Sequence, residues 1–307
     1  MSLVISDQSY AGEAASAFIV KAVVGNEIVQ GGHVYVKDGI KKSYTIPRIV
    51  ASDVVQDRVA TPVSNVGALT VDAKVLTPKD YMVYQEFNPR DYEDHWFATQ
   101  LNATLIDRAL PATVESVMIQ EVMKRHNKWL GKAIIQGDTT LTSNLKYFDG
   151  LLTRAKKAGS TVNKVGSPVV ITITNIADCF QNTLTGISED VLYDPNIKFF
   201  VSYKTAQIWE QYQRSSTFKG VDTTQAGIMR FGGRTIVPLA GMTNDTILLA
   251  KGSADMESNL WVGMNSIDDA SVQIARLQAN SELYFIKMLM KVDTNFGFGE
   301  EISLYTL

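Results

Sequence analysis

Chemically reactive side chains are scarce in this sequence of 307 residues. Cys179 is the single cysteine, which excludes an intrachain disulfide framework and any cysteine-based zinc cluster. The three histidines, His33, His95 and His126, are too few for a histidine-rich metal site, and we expect His95 and His126 to pack or to face solvent. Because no sequence feature places a base beside Cys179, we predict a buried structural thiol rather than a nucleophile.

An excess of positive charge is also lacking. The chain has 29 basic and 32 acidic residues, a net charge of −3 and a sequence pI near 5.7. Proteins that wrap nucleic acid normally carry a basic excess, so we expect any contact with nucleic acid to be weak or local. The 45% share of hydrophobic residues nevertheless excludes a disordered chain.

Long hydrophobic runs, targeting signals and enzyme motifs are missing as well. No stretch is long enough to span a membrane, and the N-terminus has no basic segment before an apolar core. The sequence contains no G-x-S-x-G, G-x-x-x-x-G-K-[ST] or H-E-x-x-H motif. Gly297-Phe298-Gly299 is only the first half of a dinucleotide fingerprint. We therefore predict no catalytic, cofactor-binding or metal-binding residues, no cofactor and no membrane partner.

One strong helix signal is present over residues 111–136. Pro111 suits a helix start, Gly137 is typical of a helix end, and apolar residues recur at helical spacing between them. The apolar positions are Val114, Val117, Met118, Val122, Trp129, Leu130, Ala133 and Ile134. A basic side is formed by Lys124, Arg125, Lys128 and Lys132; we interpret it as a solvated face, with a surface turned toward a polyanion as the alternative.

The N-terminal third predicts extended structure that lies on another surface. Residues 1–30 read as an arm, and residues 33–85 as a long two-stranded excursion too polar to form its own core. Within the excursion, Asp38-Gly39 predicts a tight hairpin turn. A second helix is predicted over 88–108, beside an aromatic stretch interpreted as core or interface packing rather than base stacking: Tyr81, Tyr84, Phe87, Tyr92, Trp96 and Phe97.

Strands and helices alternate over residues 168–250 around a predicted central sheet. Strands are predicted at 169–174, 197–202, 234–239 and 246–250, and helices at 175–185 and 204–213. Residues 260–307 return to strands, among them 282–292 and 302–307. The expected fold class is α+β, with this α/β unit inserted between the long helix and the final strands.

The order of these regions, together with several local phrases, resembles the HK97-like major capsid proteins of tailed bacteriophages. The segments VLTPKDYMVY (75–84) and FNPRDY (87–92) resemble a stretch common in capsid proteins of phages from Bacteroidetes-type hosts. The segment FDGLL (148–152) resembles the entry to the family's A domain, and DPNIKFFVS (194–202) and IVPLAGM (236–242) are similar to segments inside it. The resemblance covers nearly the whole chain.

The resemblance implies a role for each region. Residues 1–30 would be the N-terminal arm, and residues 31–87 the E-loop with its flanking strands. Residues 88–149 and 262–307 would form the P domain around the spine helix 111–136, and residues 150–261 the A domain. Some family members begin with a long helical scaffolding segment that is later removed, and we find none here. Either a separate scaffold is used or the sequence is already processed, and Met1 favours the separate scaffold. Covalent crosslinking of the family is not carried over, because no motif identifies an acceptor for the E-loop lysines.

The function implied is assembly without catalysis or a cofactor. Copies of the chain would form homo-pentamers and homo-hexamers of an icosahedral phage head that encloses DNA, assembled in the host cytoplasm and located in the virion. Expected partners are the chain itself, a separate scaffold, portal or other virion proteins, and packaged DNA through weak non-specific contact. Two alternatives stay open: an encapsulin-like nanocompartment shell, which the long 33–85 excursion disfavours, and an α/β enzyme or ligand-binding protein.

Overall fold

Two six-stranded sheets and a separate two-stranded ribbon carry the fold in a computed structural model of the chain. The structure describes residues 8–11, 26–51, 55, 57–61, 69–88, 112–215, 229–265, 271–278 and 283–307. The helices are α1 Glu27–Gln30, α2 Ala112–Gln136, α3 Leu151–Lys156, α4 Ile176–Thr185, α5 Glu189–Leu192 and α6 Tyr203–Ser215.

The strands follow one another along the chain with helices between several of them. They are β1 Gln8–Ala11, β2 Tyr35–Lys37, β3 Tyr44–Ala51, β4 Leu69–Leu76, β5 Lys79–Phe87, β6 Asn163–Lys164, β7 Ile197–Val201, β8 Arg230–Phe231, β9 Arg234–Pro238, β10 Thr246–Lys251, β11 Leu260–Met264, β12 Ser271–Arg276, β13 Tyr284–Phe296 and β14 Ser303–Thr306. A short 3-10 turn, Gly299–Glu301, links the last two strands.

The first sheet is built around the long strand β13. Its order is β1-β12-β13-β11-β2, and β5 pairs with β13 from Lys79 opposite Val292 to Phe87 opposite Tyr284. Helix α2 packs on this sheet, because Leu130, Ala133 and Ile134 on one side of the helix are fully buried in the same core cluster as Val262 and Met288. The long helix and the long strand therefore form the frame on which the other elements pack.

The second sheet has the order β6-β14-β10-β7-β9-β8, and its inner strands β7 and β10 are buried on both faces. In β7, Phe199 faces the cluster formed with α4 and α6, whereas Phe200 faces the core that contains α2. In β10, Leu249 faces the cluster formed with α4 and α6, whereas Leu248 faces the core that contains α2. Adjacent residues of a strand point to opposite faces, so burial of both faces explains why these strands are continuous apolar runs without alternation.

Several predicted elements are confirmed with small shifts at their ends. The helix predicted over 111–136 spans Ala112–Gln136, and the helix predicted over 204–213 spans Tyr203–Ser215. The strands predicted at 197–202, 234–239 and 246–250 are each found to within one residue at either end. The strand predicted at 282–292 extends to Phe296. The helix predicted over 88–108 lies outside the described residues.

The predicted hairpin turn at Asp38-Gly39 is wrong. Strand β2 pairs in parallel with β11 of the first sheet, and β3 pairs with β4, so the strands on either side of the turn are not partners. Gly39 does take a positive φ of 76°, the conformation that favours glycine. Long-range packing decides the pairing, because Tyr35 in β2 lies against Trp261 of β11 with ring centroids 4.6 Å apart.

The strand predicted over 169–174 is also wrong. The segment is irregular, and its backbone groups bond to side chains instead of a neighbouring strand. The Tyr305 hydroxyl accepts from the Val169 N–H and donates to the Val169 carbonyl, and the Asp245 carboxylate accepts from the Ile171 N–H. Just before the segment, Ser167 has a φ of 52°, which turns the chain away from β14. An apolar run alone gives no indication of this exit from the sheet.

The last strand joins the second sheet, although no sequence feature assigned it to a particular sheet. The sequence grouped residues 262–307 with the long helix, but β14 pairs with β10 in the second sheet, with Ser303 opposite Leu249. The strand order of that sheet depends on this long-range antiparallel pairing, for which the sequence carries no local signal. The division of the chain into regions at residues 149 and 262 remains a prediction.

Candidate assembly interface

The reactive side chains singled out in the sequence do not come together. Cys179 is free and buried, as predicted, and its thiol donates to the Tyr305 hydroxyl at 3.4 Å. Burial raises the pKa of this thiol, which disfavours the reactive thiolate. His33 instead lies beside Lys198, and His126 beside Tyr81, while His95 falls outside the described residues. Within the described residues, no group of histidine, cysteine and carboxylate side chains is placed to hold a metal ion.

Strands β3 and β4 form a two-stranded arm, residues 44–76, that belongs to neither six-stranded sheet. Strands β3 and β4 pair antiparallel from Tyr44 opposite Leu76 to Ala51 opposite Leu69, and neither pairs with any other described strand. The described residues nearest its tip, 55 and 57–61, are all exposed. Two strands alone are marginally stable in water, so the arm needs a further surface to lie on.

The root of the arm is firmly packed, in contrast to its outer part. Ile46 and Leu76 from the two strands join Ile40 and Trp261 in a small buried cluster. Gly263 makes this approach possible, since a Cβ at that position would lie 2.8 Å from the Ile40 Cδ1 atom. The root of the arm is thus packed in a buried cluster, whereas the described residues 55 and 57–61 are exposed.

Polar side chains of β13 also hold the root. The Asn295 amide donates to the Val75 carbonyl at 2.9 Å, and Asp293 accepts from the Thr77 N–H at 2.8 Å. Both partners lie where the chain passes from β4 to β5. No sequence motif marked these residues; the charged Asp293 within an apolar strand was the available signal.

A groove of about 560 Å³ lies between β5 and α2. Its inner wall is an aromatic cluster in which Tyr81, His126, Trp129 and Tyr147 contact one another. Two residues of the predicted aromatic stretch differ in burial here: Tyr81 is buried, whereas Tyr84 is exposed to solvent. Tyr92, Trp96 and Phe97 fall outside the described residues. The interpretation of the stretch as packing is confirmed for Tyr81.

His126 is a buried titratable group at the base of this groove. Its Nε2 atom shares a hydrogen bond of 3.0 Å with the Tyr81 hydroxyl, and its Nδ1 atom has no hydrogen-bond partner among the described residues. Burial lowers its pKa from 6.5 to about 4. The imidazole is therefore neutral in the folded subunit at pH 7.

Acid is expected to destabilise the subunit through His126. The unfolded chain takes up a proton near pH 6.5 and the folded chain only near pH 4, so the stabilisation is complete above pH 6.5 and is lost as the pH falls toward 4. Between pH 7 and pH 5 the loss is about 2 kcal/mol. Urea unfolding at pH 7 and pH 5 measures this loss of stability, and His126→Gln should remove the part that His126 contributes.

His33 is the control for this titration, since burial and Lys198 lower its pKa to about 4 as well. A His33→Gln variant should retain the contribution of His126. An equal pH dependence in His126→Gln and in the unaltered chain would contradict the assignment.

The basic side of α2 faces solvent. Lys124, Lys128 and Lys132 are exposed, and Arg125 forms an exposed pair with Glu121 four residues earlier, at 3.6 Å. Exposed pairs of this kind contribute little to stability. Exposure of these side chains agrees with the solvated-face interpretation and equally with the alternative of a surface turned toward a polyanion. No described helix is both long enough and apolar enough to cross a lipid bilayer.

No protein-family model and no curated protein matches this sequence, but many solved structures do. A chain from the capsid of the empty GTA particle has a TM-score of 0.61 and 13% identity, covering 91% of this chain and 90% of that chain. A chain from the procapsid of satellite phage P4 has a TM-score of 0.60 and 12% identity, covering 96% and 91%.

The structural similarity extends to shells of another kind. A chain from the holo-SrpI encapsulin complex of Synechococcus elongatus has a TM-score of 0.53 and 10% identity, covering 88% of this chain and 84% of that chain. At identities this low, the shared property is the fold. The chain has the HK97-like capsid fold, an α+β architecture, as the sequence resemblance implied.

Proposed function

We propose that this chain is a major capsid protein whose copies assemble through pentamers and hexamers into an icosahedral phage head that encloses the DNA genome. The two-stranded arm carries the proposal, because its root is fixed and its strands β3 and β4 pair with no other described strand. A neighbouring copy supplies that surface, so ordering of the arm is coupled to association. The similarity of the fold to chains from phage capsids supports the same function.

The regions of the chain take the following roles in this proposal. Residues 31–87 are the E-loop with flanking strands and lie on the adjacent subunit, and residues 1–30 are the N-terminal arm. Residues 88–149 with 262–307 form the P domain, and residues 150–261 form the A domain around the five-fold and six-fold centres. Closed symmetry repeats the same contacts, which combines modest interfaces into a stable shell.

Partners follow from the same proposal. The shell assembles in the host cytoplasm with a separate scaffold, portal or other virion proteins, and it becomes part of the virion. Packaged DNA makes weak, non-specific contacts, for which the exposed lysines of α2 are candidates. The role is structural, and no enzymatic step is included in it.

An encapsulin-like shell that encloses protein is the second candidate, supported by the similarity to the encapsulin chain. The two candidates share the assembly of identical subunits and differ in the contents of the particle. An α/β enzyme or ligand-binding protein is the third possibility, and no described cluster of catalytic side chains supports it.

Microscopy of the purified full-length chain tests the proposal. Negative-stain images should show closed particles or uniform pentamers and hexamers, and sedimentation should confirm their mass. Particles from phage-infected cells should contain nuclease-protected DNA, whereas protein cargo without DNA would favour the encapsulin-like candidate. A chain that stays monomeric at all concentrations, with and without virion partner proteins, would overturn both shell functions.

A further inference from the structure

A buried carboxylate joins three parts of the subunit at the root of the arm. Asp293 is 3% exposed and lies on β13 opposite Gly263, next to the last residue of β13 that pairs with β5. One of its oxygens accepts from the Arg154 guanidinium of α3 at 2.8 Å. The other accepts from the Thr77 N–H at 2.8 Å, just beyond β4. A single side chain thus links the central strand, a helix and the arm.

Asn295 repeats this contact two residues later. Residues two apart on a strand point to the same face, so Asp293 and Asn295 face the arm together. Their partners, the Thr77 N–H and the Val75 carbonyl, are also two residues apart. Asp293 and Asn295 therefore bond two backbone groups, at Thr77 and Val75, on the same side of the chain at the end of β4. Because the end of β4 is bonded at two points, both its position and its direction relative to β13 are fixed.

A charge in this place contributes little net stability. Burial raises the pKa of the Asp293 carboxyl, although Arg154 and the Thr77 N–H act in the opposite direction. Replacing a buried ion pair by apolar side chains is often neutral for stability or favourable. The cluster of Ile40, Ile46, Leu76 and Trp261 already holds the root by hydrophobic contact. Hydrophobic contact is not directional, whereas hydrogen bonds to a paired carboxylate are.

We propose that Asp293, together with Arg154 and Asn295, is a positioning clamp that sets the direction in which the two-stranded arm leaves the subunit. The inference rests on the proposed function, in which the arm lies on a neighbour. Copies in the pentamers and hexamers of one shell make similar contacts, so the arm must leave each copy within a narrow range of angles. An arm of eight residue pairs extends about 25 Å from its root, so a small change of angle there displaces the tip by several ångströms.

The direction of the arm can be measured on unassembled subunits. Spin labels at Val59→Cys on the arm and Lys204→Cys on α6, both exposed positions, report the distance between arm and body. Cys179→Ala removes the buried thiol from the background. Asp293→Asn keeps the side-chain shape but loses the charge and one acceptor oxygen. It should at least double the width of the distance distribution and reduce closed particles at least tenfold.

Lys157→Gln is the matched control, because it removes an ion pair with Asp149 close to α3 that does not touch the arm. It should leave the distance distribution and the particle yield unchanged. Asn295→Ala is the second clamp variant and should broaden the distribution even if Asp293→Asn fails to fold. Both variants should be compared by thermal unfolding, since a purely structural role lowers Tm without broadening the distance distribution.

The outcomes separate the clamp from the proposed function. A distribution as narrow in both clamp variants as in the unaltered chain would overturn the clamp, whatever the particle yield. A broadened distribution with normal particles would show that direction does not limit assembly, and would overturn the assembly part of the inference. Failure of the unaltered chain to assemble would refute the proposed function, while the distance measurement would still decide the clamp.

Discussion

Replacing residues 47–73 by an Asn-Gly turn is expected to abolish closed particles and to leave the subunit folded. Ile46 and Lys74 are directly paired across the arm, so a two-residue turn can join them without disturbing the root. The replacement keeps Ile46 and Leu76, which are buried at the root of the arm. What it removes is the outer part, which has no other described strand as a partner.

The size of the effect follows from the repetition of the arm in every subunit of a shell. If each arm contributes several kcal/mol to its binding of a neighbour, its removal weakens each association step by more than about a hundredfold. Since every copy makes this interaction, assembly should fall below detection in sedimentation and negative-stain images. The circular dichroism spectrum and the urea midpoint of the monomer should change little.

Arg214→Gln is the control for the arm replacement. It removes an exposed pair with Glu210 on α6 and should affect neither folding nor assembly. Normal particles from the shortened chain would refute the assignment of the arm as an assembly element. An unfolded shortened chain would show instead that the outer arm contributes to the stability of the monomer.

Gly150→Ala should lower the free energy of unfolding by about 3 kcal/mol, because the added methyl group would overlap backbone atoms. The chain passes so close to the end of α2 that the Gly150 N–H donates to the Gly137 carbonyl at 2.8 Å. A Cβ on Gly150 would lie 2.5 Å from the Ile135 carbonyl oxygen and 2.6 Å from the Gly137 nitrogen. Both neighbours are backbone atoms, so relief requires the helix end and the start of α3 to separate.

Gly166→Ala is the matched control, since a Cβ there meets no atom within 4 Å and the residue does not have a positive φ. It should leave stability unchanged or raise it slightly, because alanine restricts the unfolded chain more than glycine does. Urea unfolding of the two variants measures the difference. Equal stabilities would show that the backbone around Gly150 and Gly137 can accommodate a methyl group without cost.

Much of the fold could be predicted because several elements carry their own signals. Helix α2 has an uninterrupted apolar stripe, and Gly137 follows its last residue. Strands β7 and β10 are apolar runs bounded by polar segments, typical of strands buried on both faces. The order of these elements, with the quoted phrases, was sufficient for the capsid resemblance that the structural similarity supports.

The errors occurred where distant residues decide the structure. Asp38-Gly39 has a strong local turn signal, but β2 pairs with β11, more than two hundred residues later in the chain. The apolar run 169–174 has the composition of a strand, but the Tyr305 hydroxyl and the Asp245 carboxylate bond its backbone. Local preferences are worth fractions of a kcal/mol per residue, which burial and long-range pairing readily exceed.

By itself, the sequence determined the helices and strands that carry their own local signals, and it predicted an extended region that lies on another surface. One cysteine and three histidines excluded an intrachain disulfide framework and a cysteine-rich or histidine-rich metal site. Only the tertiary structure decided how the extended region is attached, since Asp293, Arg154 and Thr77 are far apart in sequence and meet through hydrogen bonds. Sequence patterns report on residues that are close together in the chain, whereas a buried polar contact between distant residues forms only when the entire chain folds.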